Sequence, residues 1–517
     1  MSRREDDPGK DLEHLTSTIA EKIEEGAMKT ESFFSTTACI FRVPEELRKL
    51  KESAYTPRLI AIGPLHREDK HLQTPLQHVK MSYTKHLLSR LTVGTEDVES
   101  AKQARFTVLQ ECIAEMNASL VAAEKCYAAE VKLDEEMMLV DGCFILEYLY
   151  RSRSLRLKNR AEMNGKKPAD GEDNGYSKEQ ENADPIFGND LTAGMVEFDL
   201  VLLENQIPFI VLQNLFQQTV AQIPNRSDEN WLLIDYVLDN YDHIMTPAEE
   251  SSSTGSSTNK WCLPGDCVLR VLGNKLENST AASEEDDQSR YINQRNVKYH
   301  HILHAIHDAC LPHDETEGRK RSLDDRELDV VMPSASDLVY AGVKFVPCTS
   351  DNLFEVKFTE PQGLFWWYHR ASFEMPPLEI FDGTEPLLRN LIAFEQCCPS
   401  VSQQVSCYAH LLNVLTNSDN DILVLEKAGV IRNYLGASED ATNLFNTLDK
   451  EVLIGGDYFA ETYIKATEYS NRFWPKNMAQ LRRTYFASPW TFIAFCVGFI
   501  AFVMSSIQFV QAFTSKG

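Results

Sequence analysis

The 517-residue sequence predicts a mainly α-helical protein, with a multi-helix globular body, a small β element and a C-terminal transmembrane helix. Three observations predict this fold class. Segments 76–91 and 98–130 have the residue pattern of helices. Short runs of β-forming residues follow Gly342. Near its C-terminus the chain has an uncharged apolar stretch longer than the ~20 residues that cross a bilayer as a helix.

Residues 1–35 form an N-terminal segment with a short amphipathic helix. The apolar residues of this helix recur at helical spacing, at Leu12, Leu15, Ile19 and Ile23. Prolines and a glycine then break the chain between 39 and 67 into a helix and irregular connections. The strongly apolar segment 137–152 is predicted to be buried.

A single helical domain, residues 36–486, is predicted next, with polar insertions and no clear domain boundary. The insertions lie near 159–185, 247–260, 277–290 and 313–327. They are predicted to be disordered because they bury too little apolar surface to offset the entropy lost on ordering. The runs GVKFVPC, LFEVKF and PPLEIF supply the β element, and helices resume at Pro386.

The apolar segment 199–216 contains Glu204, Asn205 and Gln206, where a core segment would avoid a carboxylate and two amides. We interpret this as a turn: one helix ends near Glu204, and the next begins with Asn205 as N-cap and Pro208 in its first turn. Glu204 and Gln206 then satisfy local backbone and interhelical donors. The predicted buried face of the second helix consists of Phe209, Leu212, Leu215 and Phe216. The alternative is a buried acid with a catalytic role.

The charge balance excludes one class of partner. Lys and Arg number 51 against 77 Asp and Glu, which gives a formal net charge of −26. Binding to a nucleic acid backbone needs clustered cations that release counterions, so no nucleic acid partner is expected. The sequence also lacks a phosphate-binding Gly-rich loop and paired CxxC spacing, and no cofactor is predicted.

The C-terminal segment 487–513 is predicted to cross a membrane once. Arg482 and Arg483 precede this segment and only Lys516 follows it, so the positive-inside rule places the body in the cytosol. Trp490, Arg482 and Arg483 are the expected membrane-interface residues. The predicted location is the plasma membrane, with a C-terminal anchor and mostly reduced cysteines. The alternative is a buried C-terminal helix with one polar face.

Residues 299–314 place His300, His304 and His307 within about 60° of one another on a helical wheel. Three such imidazoles would suit one zinc ion, whose open fourth position would give hydrolytic chemistry. We favour the structural alternative, in which the histidines are the polar border of an apolar helix face. No metal site is therefore predicted, although the three histidines remain its candidates. Cys143 is interpreted as a buried, inert thiol.

An aromatic run supplies the candidate partner-binding residues, which are Phe365, Trp366, Trp367, Tyr368 and Arg370. Aromatic and Arg side chains dominate binding hot spots when they are exposed. The alternative is packing in the core or close to the membrane. No catalytic residue is predicted.

Several stretches together resemble the plant family known as domain of unknown function 247. They are AYTPRLIAIGPLH at 54–66, MMLVDGCFILEYL at 137–149, DLVLLENQIPF at 199–209, AGVKF at 341–345, PLEIFDGTEPLLRNLIAFEQC at 377–397, and the terminal apolar span. The resemblance implies a mostly helical, membrane-associated plant protein, in a family whose best-known members look like pollen determinants of self-incompatibility in grasses. GPLHRED lacks a second His common in the family, and FWWYHRAS enlarges a usually short segment. Both departures weaken the transfer of a specific recognition role.

We therefore expect a membrane-anchored protein that is not an enzyme. Its expected function is protein–protein recognition or signalling with an unknown protein partner, including a role in pollen–stigma self-incompatibility. Two other functions stay open: a metal-dependent hydrolase that uses His300, His304 and His307, and a passive structural membrane protein.

Overall fold

The computed structural model describes a large part of the chain, and the fold below refers to that part. The described residues are 16–24, 38–92, 97–163, 183–224, 226, 228–245, 299–311, 332–348, 353–361, 370–456, 458–472, 477, 480 and 489–514. They form a mainly α-helical fold with a few short strands, which confirms the coarse fold class predicted from the sequence.

The helices follow the chain in sixteen segments within the described residues. They are α1 (16–24), α2 (Glu45–Leu50), α3 (Gln77–Arg90), α4 (Val98–Glu124), α5 (Glu135–Met163), α6 (Asp190–Asp199), α7 (Phe209–Gln218), α8 (Leu233–Met245), α9 (Ile302–Cys310), α10 (Ala335–Tyr340), α11 (Thr384–Cys397), α12 (Gln404–Leu415), α13 (Asp419–Lys427), α14 (Ser438–Leu448), α15 (Ala460–Asn471) and α16 (Pro489–Thr514). The strands are β1 (Lys344–Pro347), β2 (Lys357–Thr359), β3 (Ser372–Met375), β4 (Leu378–Ile380) and β5 (Ile431–Asn433).

The chain divides into two compact units. Unit 1 comprises Met1–Leu311 and Asp382–Ser402, and unit 2 comprises Pro312–Phe381 and Gln403–Gly517. The sequence predicts one helical body without a boundary. Composition gave no sign of the division because each unit is built from two separate stretches of chain, so that no single linker separates them.

Helix α5 is the centre of unit 1. It packs against α3, α4, α7 and α8, and its apolar residues between Met137 and Tyr150 are buried almost without interruption. Gly142 allows α5 to approach α7, since a Cβ atom at this position would overlap the Leu215 side chain. The predicted burial of 137–152 is therefore confirmed, within a helix that is longer at both ends.

Unit 2 contains the β structure. Strand β3 lies between β1 and β2, parallel to β1 and antiparallel to β2, so that Phe345, Phe373 and Phe358 meet across the sheet. Strands β4 and β5 form a separate parallel pair. Helix α13 packs against α10 and α14, and α15 packs against β2. The three β-like runs of the sequence correspond to β1, β2 and β4, whereas β3 and β5 were not predicted.

The segment 199–216 departs from its predicted helix boundaries. Helix α6 ends at Asp199 and α7 begins at Phe209 with Pro208 as its N-cap, so the prediction of Asn205 as N-cap is wrong. The physical reason is that the Asn205 side chain hydrogen-bonds the distant backbone of Ile62 instead of the first turn of α7. The predicted buried face of α7 is confirmed at Phe209, Leu212, Leu215 and Phe216.

The predicted disordered insertions fall largely outside the described residues. Residues 247–260, 277–290 and 313–327 lie outside them entirely, as does 164–182 of the first insertion. Residues 159–163 extend α5, because the helix continues to Met163.

The transmembrane helix predicted over 487–513 is not supported. In the part of the chain that the structure describes, no helix has the length and apolar character needed to cross a bilayer.

Replacing Phe209 with Ala should lower the free energy of unfolding by about 3–5 kcal/mol, because it leaves a cavity at the start of α7. Phe209 is buried there, with its ring edge-on to Tyr299 at a centroid distance of 5.9 Å. Ile210→Ala is the matched control, since the next side chain is 40 % exposed and should cost less than about 1 kcal/mol. Urea unfolding of both variants measures the difference, and equal losses would contradict the assigned helix face.

Candidate functional site: a buried polar cluster and the groove beside it

The irregular segment 55–66 crosses the interior of unit 1 as neither helix nor strand. The backbone N–H groups of Arg58, Leu59 and Ile60 donate to the Asp199 carboxylate at 2.7, 2.7 and 2.9 Å. Burial raises the pKa of Asp199 to about 6, against the opposing effect of these three donors. The carboxylate thus does for this segment what a neighbouring strand does elsewhere.

The amide of Asn205 continues this pattern. Its Oδ1 accepts from the N–H of Ile62 at 2.6 Å, and its Nδ2 donates to the carbonyl oxygens of Ile60 and Asp199 at 3.0 and 2.7 Å. Asn205 is fully buried, and both polar atoms of its side chain are therefore paired. An amide is suited to this position because it offers a donor and an acceptor to the same stretch of backbone.

Glu204 lies at the centre of a second set of contacts. Its Oε1 accepts from the Val43 N–H at 2.5 Å and from the Arg48 guanidinium, and its Oε2 lies 3.2 Å from His66 Nε2. Burial alone would raise the pKa of Glu204, but the hydrogen bonds from His66, Arg48 and Val43 together hold it below its ordinary value. The predicted structural role is confirmed, although the donors lie far away in sequence instead of locally.

Lys80 and Asp141 form a buried ion pair between α3 and α5. Lys80 Nζ lies 2.6 Å from Asp141 Oδ1 and also donates to the carbonyl of Ala61. Asp141 Oδ2 accepts from the N–H of Gly63 at 2.8 Å, where a positive φ of 70° favours glycine. Burial raises the pKa of Asp141, and Lys80 and Gly63 oppose this shift. The pair forms one wall of a polar pocket of about 190 Å³.

A larger, apolar groove of about 330 Å³ lies beside this pocket, between α3, α4 and α5. Met81 and Val140 line both the pocket and the groove, and Met81 is 49 % exposed. Leu88, Leu109 and Leu139 complete the apolar lining of the groove. An exposed apolar surface of this kind is typical of a binding site.

Two cations line the same groove. They are Lys85 on α3 and Arg105 on α4. The Arg105 guanidinium hydrogen-bonds the Ala101 carbonyl and the Ser89 hydroxyl, at 3.2 and 3.4 Å. Among the described residues, no carboxylate forms an ion pair with either cation. The groove therefore combines apolar contact area with positive charge, in a chain whose formal net charge is −26.

The histidines predicted as metal candidates have other partners. Helix α9 begins at Ile302, so His300 lies before it, with its ring stacked on His304 at 4.9 Å. His304 Nδ1 accepts from the His300 N–H, and His307 Nε2 lies 2.8 Å from Glu395 Oε1. Burial, and then His300 and His307, lower the pKa of His304 to about 3. Over the residues that the structure describes, no group of three or more His, Cys, Asp or Glu is placed to hold a metal ion.

The other predicted site residues are placed only in part. Phe365, Trp366, Trp367 and Tyr368 lie outside the described residues, as do Arg482 and Arg483. Arg370 is described and exposed, and Trp490 lies in the first turn of α16. Cys143 is buried, and burial raises its thiol pKa, in agreement with the predicted inert thiol.

Sequence reasoning missed Lys80, Asp141, Asp199 and Asn390 as site residues. Asn390 hydrogen-bonds the Leu203 N–H at 2.9 Å and the Ala54 carbonyl at 2.8 Å, like the other polar side chains of this interior. Three of the four lie inside strongly apolar runs, which was the available signal. Lys80 lies in a polar helix and gave no such signal.

Comparison with known proteins places the chain among plant sequences. The family model described as "Plant protein of unknown function", DUF247, matches residues 40–504. The chain is similar to UPF0481 protein At3g47200 of Arabidopsis thaliana, at 25 % identity over 95 % of this chain and 89 % of that protein. It is also similar to the putative UPF0481 protein At3g02645 of the same plant, at 21 % identity over 91 % of this chain and 89 % of the relative. No solved structure matches.

Replacing Glu204 with Gln should lower the free energy of unfolding by about 2 kcal/mol, because Arg48 and His66 lose a charged acceptor in a buried position. Glu45→Gln is the control, since Glu45 forms only an exposed pair with Lys49 and should cost less than about 0.5 kcal/mol. Denaturant unfolding at pH 7 measures both variants. Equal stability of the two variants would show that Glu204 does not organise the interior.

The Glu204 contribution should also depend on pH. Its pKa is lower in the folded protein than the ordinary value of 4.5, so the stabilisation is complete above pH 4.5 and is lost as the pH falls through the folded pKa. The difference in unfolding free energy between the wild type and Glu204→Gln should therefore shrink on acidification. Urea unfolding of both proteins at a series of pH values from about 7 to 3 measures this difference. A difference that stays constant over the series contradicts the assignment.

Proposed function

The chain belongs to the DUF247 family of plant proteins of unknown function, and on this premise we propose that it acts by recognising a partner protein. The proposed binding site is the apolar groove between α3, α4 and α5. The proposed ligand is an amphipathic segment of the partner, with apolar side chains on one face and carboxylates beside them. The observation that carries this proposal is the combination of an exposed apolar lining with Lys85 and Arg105 in the same groove.

The apolar lining supplies the contact area for such a segment. Leu109 lines the groove, and on the surface of α4 it neighbours Phe106 and Ile113, three residues before and four residues after it. Phe106 is 53 % exposed and Ile113 is 39 % exposed, so the apolar surface extends beyond the groove along α4. An amphipathic helix binds such a surface through side chains at helical spacing.

The two cations determine which segment fits. Lys85 and Arg105 are held beside an apolar surface, where a carboxylate of the ligand would interact with them more strongly than in water. An acidic segment gains from both contacts, whereas a basic segment would place like charges next to each other. The polar pocket beside the groove, with Gln73 and Gln77 in its lining, offers further hydrogen-bonding groups to the same ligand.

The walls of the groove are well fixed before any ligand binds. Helices α3 and α5 pack tightly together, and the Lys80–Asp141 pair joins them at the adjoining pocket. Behind the groove, Tyr83 on α3 contacts Phe144 on α5 at a ring-centroid distance of 5.3 Å. A rigid groove loses little conformational entropy on binding, which favours affinity.

The finer functions expected from the sequence stay predictions. They are signalling, a role in pollen–stigma self-incompatibility and a membrane location. The proposed groove is independent of these functions, because it rests on residues of unit 1 alone.

Reversing the charge of both cations should weaken binding of an acidic amphipathic ligand. The probe is a fluorescein-labelled peptide with leucines at helical spacing and glutamates beside them, and a peptide of the same composition in scrambled order is its control. Lys85→Glu with Arg105→Glu should raise the Kd about tenfold or more in fluorescence anisotropy at low salt. Lys450→Glu, an exposed charge reversal in unit 2, should leave the Kd unchanged.

Replacing the exposed Met81 with Asp should also abolish binding, because it places a carboxylate in the apolar lining. Equal affinity for the ordered and the scrambled peptide contradicts the proposal. Displacement of the peptide by a free fatty acid at lower concentration than by unlabelled peptide would instead identify the groove as a lipid site.

A further inference from the structure

Two cysteines are brought together where the N-terminal segment meets the end of α4. Ile40 and Tyr127 form an isolated parallel β-bridge. The N–H groups of Cys39 and Ile40 both donate to the Cys126 carbonyl, at 2.8 and 2.9 Å, and the Ala128 N–H donates to the Ile40 carbonyl at 2.9 Å. The two backbones therefore run side by side over this short stretch.

The bridge places the two thiols on one side of the paired backbones. Cys39 and Cys126 each precede a bridge partner by one residue, and side chains at equivalent positions of parallel strands project to the same face. Paired strands lie about 5 Å apart, which is within the Cα separation that a disulfide spans. The hydrogen-bonding Cys126 thiol, followed by burial, raises the pKa of Cys39, as expected for two thiols in contact.

The two thiols differ in their access to solvent. Cys39 is only 1 % exposed, and His301 Nε2 fixes its carbonyl at 3.0 Å. Cys126 is half-buried, just beyond the last turn of α4, where its Sγ contacts the Ala122 carbonyl at 3.4 Å. A small oxidant in solution therefore reaches Cys126 before Cys39.

We propose that Cys39 and Cys126 form a reversible disulfide when the protein meets hydrogen peroxide. The Cys126 thiolate attacks one peroxide oxygen, the O–O bond breaks, and the products are a Cys126 sulfenic acid and hydroxide, which takes up the thiol proton as water. The Cys39 sulfur then attacks the Cys126 sulfur and loses its proton. The S–O bond breaks, a second water leaves and the S–S bond forms, so that two thiols and one peroxide give one disulfide and two waters.

The disulfide fixes a segment on which the interior of unit 1 depends. Residues 38–43 continue directly from Cys39 to Val43, whose N–H donates to Glu204. A covalent link between this segment and α4 closes a long loop of chain, and cross-links that close long loops strongly constrain the unfolded state. Oxidation is therefore expected to raise the thermal stability of unit 1, and reduction to reverse the effect.

A third thiol provides the main alternative product. Cys398 is buried near Cys39, where its charge would raise the Cys39 pKa further, and its Sγ lies 3.3 Å from the Ser400 hydroxyl. Unlike Cys126, it has no backbone pairing with Cys39 among the described residues. The β-bridge therefore favours Cys126 as the partner of Cys39. This inference is independent of the proposed groove.

The test treats the full-length protein with a small excess of hydrogen peroxide, blocks the remaining thiols with iodoacetamide, and maps cross-linked peptides by mass spectrometry without reduction. The expected result is a Cys39–Cys126 peptide, with a melting temperature that rises on oxidation and returns after dithiothreitol. Cys126→Ser should abolish both changes. Cys112→Ser is the matched control, since Cys112 is a buried thiol of the same helix and its loss should leave the cross-link intact.

Cys39→Ser provides a second readout, because a Cys126 sulfenic acid without its partner should accumulate and react with dimedone. Two outcomes overturn the proposal. One is a protein in which Cys39 and Cys126 are both alkylated after peroxide treatment, and the other is a Cys39–Cys398 cross-link in place of the expected one. Should Cys39→Ser fail to fold, the cross-link map of the wild type and of Cys126→Ser still decides the question.

Discussion

An irregular backbone that crosses a protein interior needs a hydrogen-bond partner for each of its N–H and C=O groups, and unit 1 is organised around this requirement. The segment 55–66 has no strand beside it, although Ile60 and Ile62 are completely buried. Asp199 and Asn205 supply the missing acceptors and a donor. Unpaired backbone groups in such a position cost about 1–3 kcal/mol each, so these two polar residues are as necessary to the interior as the apolar side chains around them.

The same set of polar contacts reaches the proposed binding groove. Lys80 donates to the Ala61 carbonyl of the irregular segment and also pairs with Asp141 on α5. Helices α3 and α5 form two walls of the groove, so the residues that hold the segment also fix the separation of those walls. A buried pair of this kind contributes little net stability, and its value here is the defined position of two helices. The groove and the interior are thus parts of one arrangement.

Much of the fold was predictable from the sequence because its signals are local. The apolar spacing of α7 placed Phe209 and Phe216 on the buried face, and the short β-forming runs located β1, β2 and β4. The buried polar residues gave a partial signal as well. Glu204 stood out inside an apolar run, which indicated that it must be paired, but the run contained no information about the partner.

The sequence by itself determined that the chain is mainly helical, acidic, and polar at unusual places in its core. Only the tertiary structure decided that Glu204 binds Val43 and Arg48, that Asn205 holds a distant segment instead of capping a helix, and that Cys39 meets Cys126. Each of these contacts joins residues that are far apart in the chain. Periodicity and capping rules describe neighbours within a few residues, whereas long-range pairs form only when the packed core brings their backbones together.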